Sequence, residues 1–163
     1  MVRMVLRGTH DVHSPLYGLH KQFRLLERIV KDLLSADTMV EQLLAANPHT
    51  TTRLLRRGLR LNLDGSIAWW SLERCELSAL PDWFGNLRTT GHLLLSHNNL
   101  QSLPESFASI VIGGHLTLDY NPLRLLPMNF ADVTVGGDLW IRCSSLLTTF
   151  AYLPHVCGHV YWE

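Results

Sequence analysis

The chain has 163 residues, 47% of them hydrophobic, and its 14 basic and 14 acidic side chains give a formal charge of zero. This length predicts one domain, and the apolar content suffices for a packed core. A net charge of zero argues against a uniformly basic nucleic-acid-binding protein. No apolar run reaches the roughly 18 residues of a membrane-spanning helix, and the N-terminus lacks the apolar core of a signal peptide.

The charges are unevenly distributed along the chain. Residues 1–60 hold ten basic and five acidic side chains, whereas residues 61–163 hold four and nine, so the two parts carry +5 and −5. Three cysteines are an odd number, which argues against a secreted disulfide framework. We therefore predict a cytoplasmic protein, with a virion component as the alternative.

Residues 1–57 are predicted to form an N-terminal helical cap region. Ser14 followed by Pro15 is typical of a helix start, because serine caps the helix and proline suits its first turn. Apolar residues at steps of three and four then lie on one helix face: Leu19, Phe23, Leu26, Val30 and Leu33. A second helix is predicted over residues 38–46 and a further helical turn over residues 51–57. The first helix is expected to cover an open end of the segment that follows.

Residues 59–72 predict a β-hairpin. Leu59, Leu61 and Leu63 alternate with other side chains, and Asp64-Gly65 then favours a tight turn before a second extended segment. An antiparallel strand at this position would cap the first strand of a larger sheet and protect its edge.

From residue 77 the chain repeats itself every 23 residues. The segment 77–84, which contains Leu-Pro and then phenylalanine three residues after the proline, returns as 100–107 and as 123–130. The same step carries Asn98 onto Asn121 and carries a glycine-led strand segment from 91–93 onto 114–116 and 137–139. A fixed period in this range is typical of stacked coils that bury a common core. Residues 58–163 are therefore predicted to form four to five coils.

The period also predicts which side chains meet. Alternate residues of each strand are expected to point inward: Trp70, Leu72, Leu93, Leu95, Leu116, Leu118, Leu139, Ile141, Val160 and Trp162. Phe84, Phe107 and Phe130 should stack as an internal column. Asn98 and Asn121 should bond to backbone groups of neighbouring coils, and Cys75, which takes the asparagine position, is expected to be a buried thiol.

Residues 69–163 resemble short leucine-rich repeats in which Leu-Pro-x-x-Phe follows the asparagine position, a type known from bacteria, protists and large DNA viruses. The resemblance implies a mostly β solenoid with a curved parallel sheet. It also implies protein binding without catalysis, and it names no partner.

The outward residues of the strands form three columns on the expected concave face. Trp, Tyr, His, Asp and Arg side chains predominate there, and aromatic residues and arginine are favoured at interfaces. The residues predicted to bind a partner are Trp69, Glu73, His92, Leu94, His115, Thr117, Asp119, Asp138, Trp140, Arg142, His159 and Tyr161.

Two alternatives concern other ligands. His92, His115 and His159 line up with Asp138, but a flat ladder spreads its ligands along a line, whereas zinc prefers a tetrahedron. We therefore predict no metal and no other cofactor. Four arginines, at positions 53, 56, 57 and 60, would suit an anionic ligand, but no aromatic residues are interleaved with them, so nucleic acid is not the expected partner.

The predicted function is non-catalytic binding of a protein partner through the concave face and its flanks. No nucleophile elbow, glycine-rich phosphate loop or carboxylate pair accompanies the Ser, His and Asp residues, so no catalytic residue is predicted. The alternative is a structural role as a subunit of a homo-oligomer or of a larger particle. Such a subunit would assemble through the edge of the last strand, at residues 159–163.

Overall fold

The computed structural model describes residues 36–142, 144 and 154–162. The predicted helix over residues 14–33 lies outside these residues. The described helices are α1 over residues 36–46 and α2, Thr52–Arg57. None of the helices in this part of the chain is long and apolar enough to cross a membrane.

Ten short strands and three short 3-10 helices follow. The strands are β1 (Leu59–Leu61), β2 (Ile67–Ser71), β3 (Arg88–Thr89), β4 (Leu93–Leu94), β5 (Val111–Ile112), β6 (Leu116–Thr117), β7 (Thr134–Val135), β8 (Leu139–Trp140), β9 (His155–Val156) and β10 (Val160–Tyr161). The 3-10 helices are Asp82–Asn86, Glu105–Ser109 and Phe130–Asp132.

The strands form one sheet that is parallel except at its first pair. The strand β1 pairs with β2 in antiparallel fashion, which confirms the predicted hairpin. The other strands form two rows that both begin at β2. The front row is β2-β4-β6-β8-β10, and the second row is β2-β3-β5-β7-β9, because Ile67 pairs with Thr89 while Trp70 pairs with Leu93.

The front row confirms the predicted register of the repeat. Leu93 pairs with Leu116, Leu116 with Leu139, and Leu139 with Val160. The predicted inward residues are buried from Trp70 to Ile141. The prediction for Trp162 is wrong: its side chain is 56% exposed. Trp162 follows β10, which pairs with β8 alone among the described strands, so no further described strand packs over it.

A column of phenylalanines fills the interior between the strands and the 3-10 helices. The ring centroids of Phe84 and Phe107 are 6.3 Å apart and those of Phe107 and Phe130 are 6.4 Å apart, with the rings within 7° and 10° of parallel. Trp70 stacks against Phe84 at the first end of this column. Each phenylalanine lies on a 3-10 helix, and its N–H donates to the carbonyl oxygen of the proline three residues earlier, so one local motif places all three rings at the same height.

Buried asparagines connect neighbouring copies of the repeat. Asn98 Oδ1 accepts hydrogen bonds from the N–H groups of Cys75 (3.0 Å) and Leu77 (3.1 Å), and Asn98 Nδ2 donates to the carbonyl oxygen of Leu72 (2.8 Å). Asn121 bonds in the same way to backbone groups of its own and the preceding copy. These bonds satisfy backbone groups that the turns would otherwise bury without partners.

Cys75 is buried, as its place in the repeat predicts. Its thiol donates to the carbonyl oxygen of Glu73 at 3.5 Å. Burial raises the pKa of the Cys75 thiol to about 11, although the nearby Arg57 acts in the opposite direction. The thiol is therefore protonated at neutral pH and acts as a packing group rather than a nucleophile.

The helices share the core of the strands. Ala36, Val40 and Leu43 lie on the buried face of α1, and this face begins before Thr38. The predicted start of the second helix at Thr38 is therefore wrong, because packing of that face keeps residues 36 and 37 helical. The predicted end is confirmed. The turn predicted over residues 51–57 is also confirmed, and its Leu55 is fully buried.

Candidate functional site

The predicted binding residues lie on the outward side of the front row, which is called the front face below. The strand register directly fixes a central column of residues on this face. The members of this central column are Ser71, Leu94, Thr117, Trp140 and Tyr161. One further column lies on each side of it. Because adjacent strands lie about 4.8 Å apart, neighbouring side chains in a column contact one another.

The first flanking column contains a ladder in which three successive side chains each accept a backbone hydrogen bond from the next copy. His92 Nδ1 accepts from the N–H of His115 at 2.9 Å, and His115 Nδ1 accepts from the N–H of Asp138 at 2.8 Å. Asp138 Oδ1 accepts from the N–H of His159 at 2.8 Å. The imidazole rings of His92 and His115 stack at 4.6 Å, and Trp69 meets His92 edge-on.

Glycines make room for this ladder. A Cβ on Gly114 would lie 2.6 Å from His92 Nδ1, and a Cβ on Gly137 would lie 2.5 Å from His115 Nδ1. Real Cβ atoms do not approach other atoms this closely. The glycines at the start of each strand segment therefore serve the side chain of the preceding copy, and not only the tight turn.

The ladder has electrostatic consequences for two of its members. Burial, assisted by the nearby His115, holds the pKa of His92 below its ordinary value of 6.5. The hydrogen bond from the backbone N–H of His159 lowers the pKa of Asp138, with a smaller opposing effect of burial and a further lowering by His115. A neutral His92 can accept at Nδ1, whereas an imidazolium has a proton on each ring nitrogen and cannot.

We expect the stability of the protein to fall as the pH drops through the range in which His92 titrates. His92 binds a proton more readily in the unfolded chain than in the folded chain. The contribution of His92 to the free energy of unfolding is therefore complete above about pH 6.5 and is lost as the pH falls below it. Replacing His92 with asparagine should weaken this pH dependence, because an amide oxygen can accept as Asp138 Oδ1 does and does not titrate. Urea midpoints at about pH 7.5 and about pH 5.5 measure the difference.

The matched control is His49→Asn, which removes an exposed histidine away from the ladder. This variant should keep the pH dependence of the wild type. Identical pH dependence of all three proteins would show that His92 does not contribute.

Aromatic rings occupy the far end of the front face. The rings of Trp140 and Tyr161 stack at 5.3 Å, and His115 packs edge-on against Trp140 at 5.0 Å. Trp140 is partly buried, and Tyr161 is 40% exposed. The two rings therefore form a preformed apolar surface on β8 and β10.

The other flanking column contains an ion pair. Arg142 Nη2 lies 2.8 Å from Asp119 Oδ2, and Asp119 Oδ1 accepts the backbone N–H of Arg142. Asp119 is 6% exposed, whereas half of the Arg142 side chain is exposed. The buried carboxylate thus holds the guanidinium at the surface. Ser96 Oγ donates to Thr117 Oγ1 at 2.7 Å and links this column to the central one.

Sequence reasoning missed a fourth column. Arg74, His97 and Tyr120 precede the asparagine position of successive copies, and each has a positive φ, between 54° and 57°. This conformation costs roughly 1–2 kcal/mol for a residue other than glycine. The rings of His97 and Tyr120 stack at 4.4 Å, and Tyr120 is 51% exposed. The spacing of 23 residues could have revealed the column, but nothing in the residue types indicates the positive φ.

Two adjoining grooves cross the front face. The first, of about 670 Å³, lies beside α2 and is lined by Arg57, Arg60 and Arg74 among others. The second, of about 470 Å³, extends to Trp140 and Arg142. Glu73 and His97 line both.

The four arginines singled out in the sequence do not act as one cluster. Arg56 pairs with Asp37 of α1 at 2.8 Å, whereas Arg57 and Arg60 line the first groove. Arg53 is exposed and does not line that groove. The third arginine that lines the first groove is Arg74, which lies in the turn after β2, and neither Arg53 nor Arg56 lines it. In the part of the chain that the structure describes, no group of three or more His, Cys, Asp or Glu side chains is arranged to hold a metal ion.

The chain was also compared with known proteins. No protein-family model, curated protein or solved structure matches it. The side chains and grooves of the front face are therefore the basis for the function proposed next.

Proposed function

We propose that this protein is a leucine-rich-repeat solenoid that binds a protein partner through the front face and its flank, without catalysing a reaction. The fold part of the proposal is supported by strands that pair at steps of 23 residues, by the asparagine bonds and by the stacked phenylalanines. Such repeats contact mainly their neighbours, so the stack presents one continuous surface.

The binding part of the proposal depends on one observation: large aromatic side chains remain accessible on the strands of the front face and on the turn that borders them. Trp69, Tyr120 and Tyr161 are 43%, 51% and 40% exposed, and Trp140 lines the second groove. Tryptophan, tyrosine and arginine are the residue types that most often dominate the binding energy of interfaces. Apolar side chains that are exposed together on one face, rather than singly, often mark a site of interaction.

The front face gains area from the segment ahead of the repeat. Five strands with three outward residues each provide fewer positions than the roughly 20–30 residues of a standard interface side. The first groove adds Arg57 from α2 and Arg60 from β1 to this surface. A partner that contacts the face and this flank would bury an area closer to that of a stable complex.

Removal of two aromatic rings tests the proposal. The double variant Trp140→Ala/Tyr161→Ala should lose at least about 2 kcal/mol of binding free energy, or roughly 30-fold in Kd, if the rings are central to the interface. Proteins captured on the immobilised 163-residue chain can be identified by mass spectrometry, and their affinity for each variant is then measured by calorimetry.

The matched control is Leu125→Ala/Met128→Ala, which removes two exposed apolar side chains outside the front face. Its affinity should equal that of the wild type. Equal affinity of all three proteins for every captured partner would contradict the proposal, provided that thermal unfolding shows both variants to be folded.

A second candidate function is packing in a larger assembly. Among the described strands, β10 pairs with β8 alone, and both Tyr161 and Trp162 beside it are exposed. A further strand could pair with such an edge. Light scattering over a range of concentrations tests this candidate: self-association that Tyr161→Ala abolishes would support it, and a monomer at every concentration would oppose it.

A further inference from the structure

The first groove is positively charged because three chain segments bring one arginine each to it. Arg57 lies in the last turn of α2, Arg60 lies on β1, and Arg74 lies in the turn after β2. Glu73 contributes the one carboxylate among the lining residues. The groove, of about 670 Å³, is therefore a basic surface where the basic N-terminal part of the chain, with Arg57 and Arg60, meets Arg74 of the acidic part.

Backbone contacts orient the guanidinium of Arg60 and fix the backbone of Arg74. Arg60 Nη1 donates to the carbonyl oxygens of Arg57 and Leu59 at 3.1 and 3.0 Å, which directs the guanidinium along the end of α2. Arg74 has a φ of 54°, and its N–H donates to Ser96 O at 3.2 Å. Oriented guanidinium groups lose less conformational entropy when they bind a carboxylate.

The charges of these arginines are not neutralised by ion pairs within the described residues. There, arginine side chains pair with carboxylates at Arg56–Asp37 and Arg142–Asp119, and neither pair involves a basic residue of the first groove. Acidic groups of a partner are therefore the natural complement of this groove.

The groove continues into a surface of different chemistry. Glu73 and His97 line both grooves, and the second groove extends to Trp140. The path from β2 to β8 crosses three strand spacings, about 14 Å, which an extended segment of four or five residues would span. Its far end offers the stacked rings of Trp140 and Tyr161 rather than basic side chains.

We propose that the front face binds an extended acidic protein segment, with carboxylates in the groove of Arg57, Arg60 and Arg74 and an apolar side chain against Trp140 and Tyr161. This inference rests on the proposed function and names the chemistry of its partner. A nucleic acid fits less well, because evenly spaced phosphates would run from the arginines onto Glu73, Asp119 and Asp138.

Selection from a random heptapeptide library on the 163-residue chain tests the inference. We expect peptides with Asp or Glu towards one end and an apolar or aromatic residue towards the other. Selection on Arg57→Gln/Arg60→Gln should lose the acidic preference and keep the apolar one, and selection on Trp140→Ala should do the reverse. The matched control, Arg88→Gln/Arg124→Gln, removes the same charge from exposed arginines outside the groove and should leave both preferences unchanged.

Affinity measurements on one selected peptide complete the test. Arg57→Gln/Arg60→Gln should weaken binding roughly tenfold at low salt, and the difference should shrink between about 50 mM and about 300 mM salt because exposed charges are screened. A heptauridylate RNA and a phosphorylated form of the same peptide serve as comparison ligands.

The outcomes separate the inference from the proposed function. Peptides without acidic preference that still require Trp140 would overturn the inference and leave the proposed function in place. Tighter binding of the RNA or dependence on the phosphate would also overturn the inference. Failure to select any peptide above background would overturn the inference and leave the proposed function in place, because a folded partner would contact more of the face than a heptapeptide does.

Discussion

Replacing Phe107 with alanine is expected to reduce the free energy of unfolding by about 3–5 kcal/mol, the range for a fully buried phenylalanine. Phe107 has no exposed surface and stacks on both sides, against Phe84 and Phe130. The substitution therefore removes apolar area, interrupts the column and leaves a cavity between two neighbours that are held by their own helices. Urea unfolding measured by circular dichroism gives the change.

Two further variants make this result specific. Phe107→Leu keeps most of the volume and loses the ring stacking, so it should lose clearly less stability than the alanine variant. Met128→Ala, at a side chain that is 88% exposed, should change the stability by less than about 0.5 kcal/mol. A loss below about 1 kcal/mol for Phe107→Ala would show that the column does not hold the copies together.

Replacing Asn98 with alanine is expected to cost about 3 kcal/mol or more, since several buried backbone groups would lose their partners at about 1–3 kcal/mol each. The amide of Asn98 bonds to Cys75, Leu77 and Leu72 of the preceding copy and to Leu95 of its own. No water can replace the side chain without entering the core. Thermal unfolding should therefore begin at a lower temperature.

The adjacent Asn99 provides the control, because its side chain is exposed while its backbone N–H bonds to Leu77. Asn99→Ala should keep the wild-type stability. Amide hydrogen exchange adds a local measurement: the N–H groups of Cys75 and Leu77 should lose protection in Asn98→Ala and keep it in Asn99→Ala. Unchanged protection in both variants would contradict the role assigned to Asn98.

The parts of the fold that repeat could be predicted from the sequence. A step of 23 residues requires that Leu93 meet Leu116 and that Phe84 meet Phe107, because equivalent residues of stacked copies occupy equivalent places. The hairpin was also predictable, since Asp64-Gly65 favours a tight turn between extended segments. These predictions needed no knowledge of how a particular side chain is oriented.

The parts that depend on contacts outside the repeat could not be predicted. Asn47, which follows α1, accepts the N–H groups of Ser78 and Ala79 at 2.7 and 3.0 Å, and so connects the helices to the first copy. Its distance of 31 and 32 residues from these partners does not match the period. The basic groove was missed for the same reason, because Arg74 joins Arg57 and Arg60 only through the way that α2 and β1 fold against β2.

The candidate site was predicted in outline rather than in function. The sequence placed His92, His115 and Asp138 in one column as surface groups. Their role as acceptors for the backbone of the next copy depends on side-chain rotation and on the space above Gly114 and Gly137. The division of the front face into a basic end and an aromatic end likewise depends on the folded positions of the side chains, and the sequence alone does not predict it.

The pairing of the last copy bears on how the length of this chain can vary. Between earlier copies the step is 23 residues, as from His92 to His115, whereas from Asp138 to His159 it is 21. Both rows nevertheless stay in register, because the step from Thr134 to His155 is shortened by the same amount. The missing two residues fall between Trp140 and His155. Insertions and deletions among natural variants should therefore concentrate in the long connection that leads from a front-row strand to the next second-row strand. The short connection that leads from a second-row strand to the next front-row strand should keep its step of five residues.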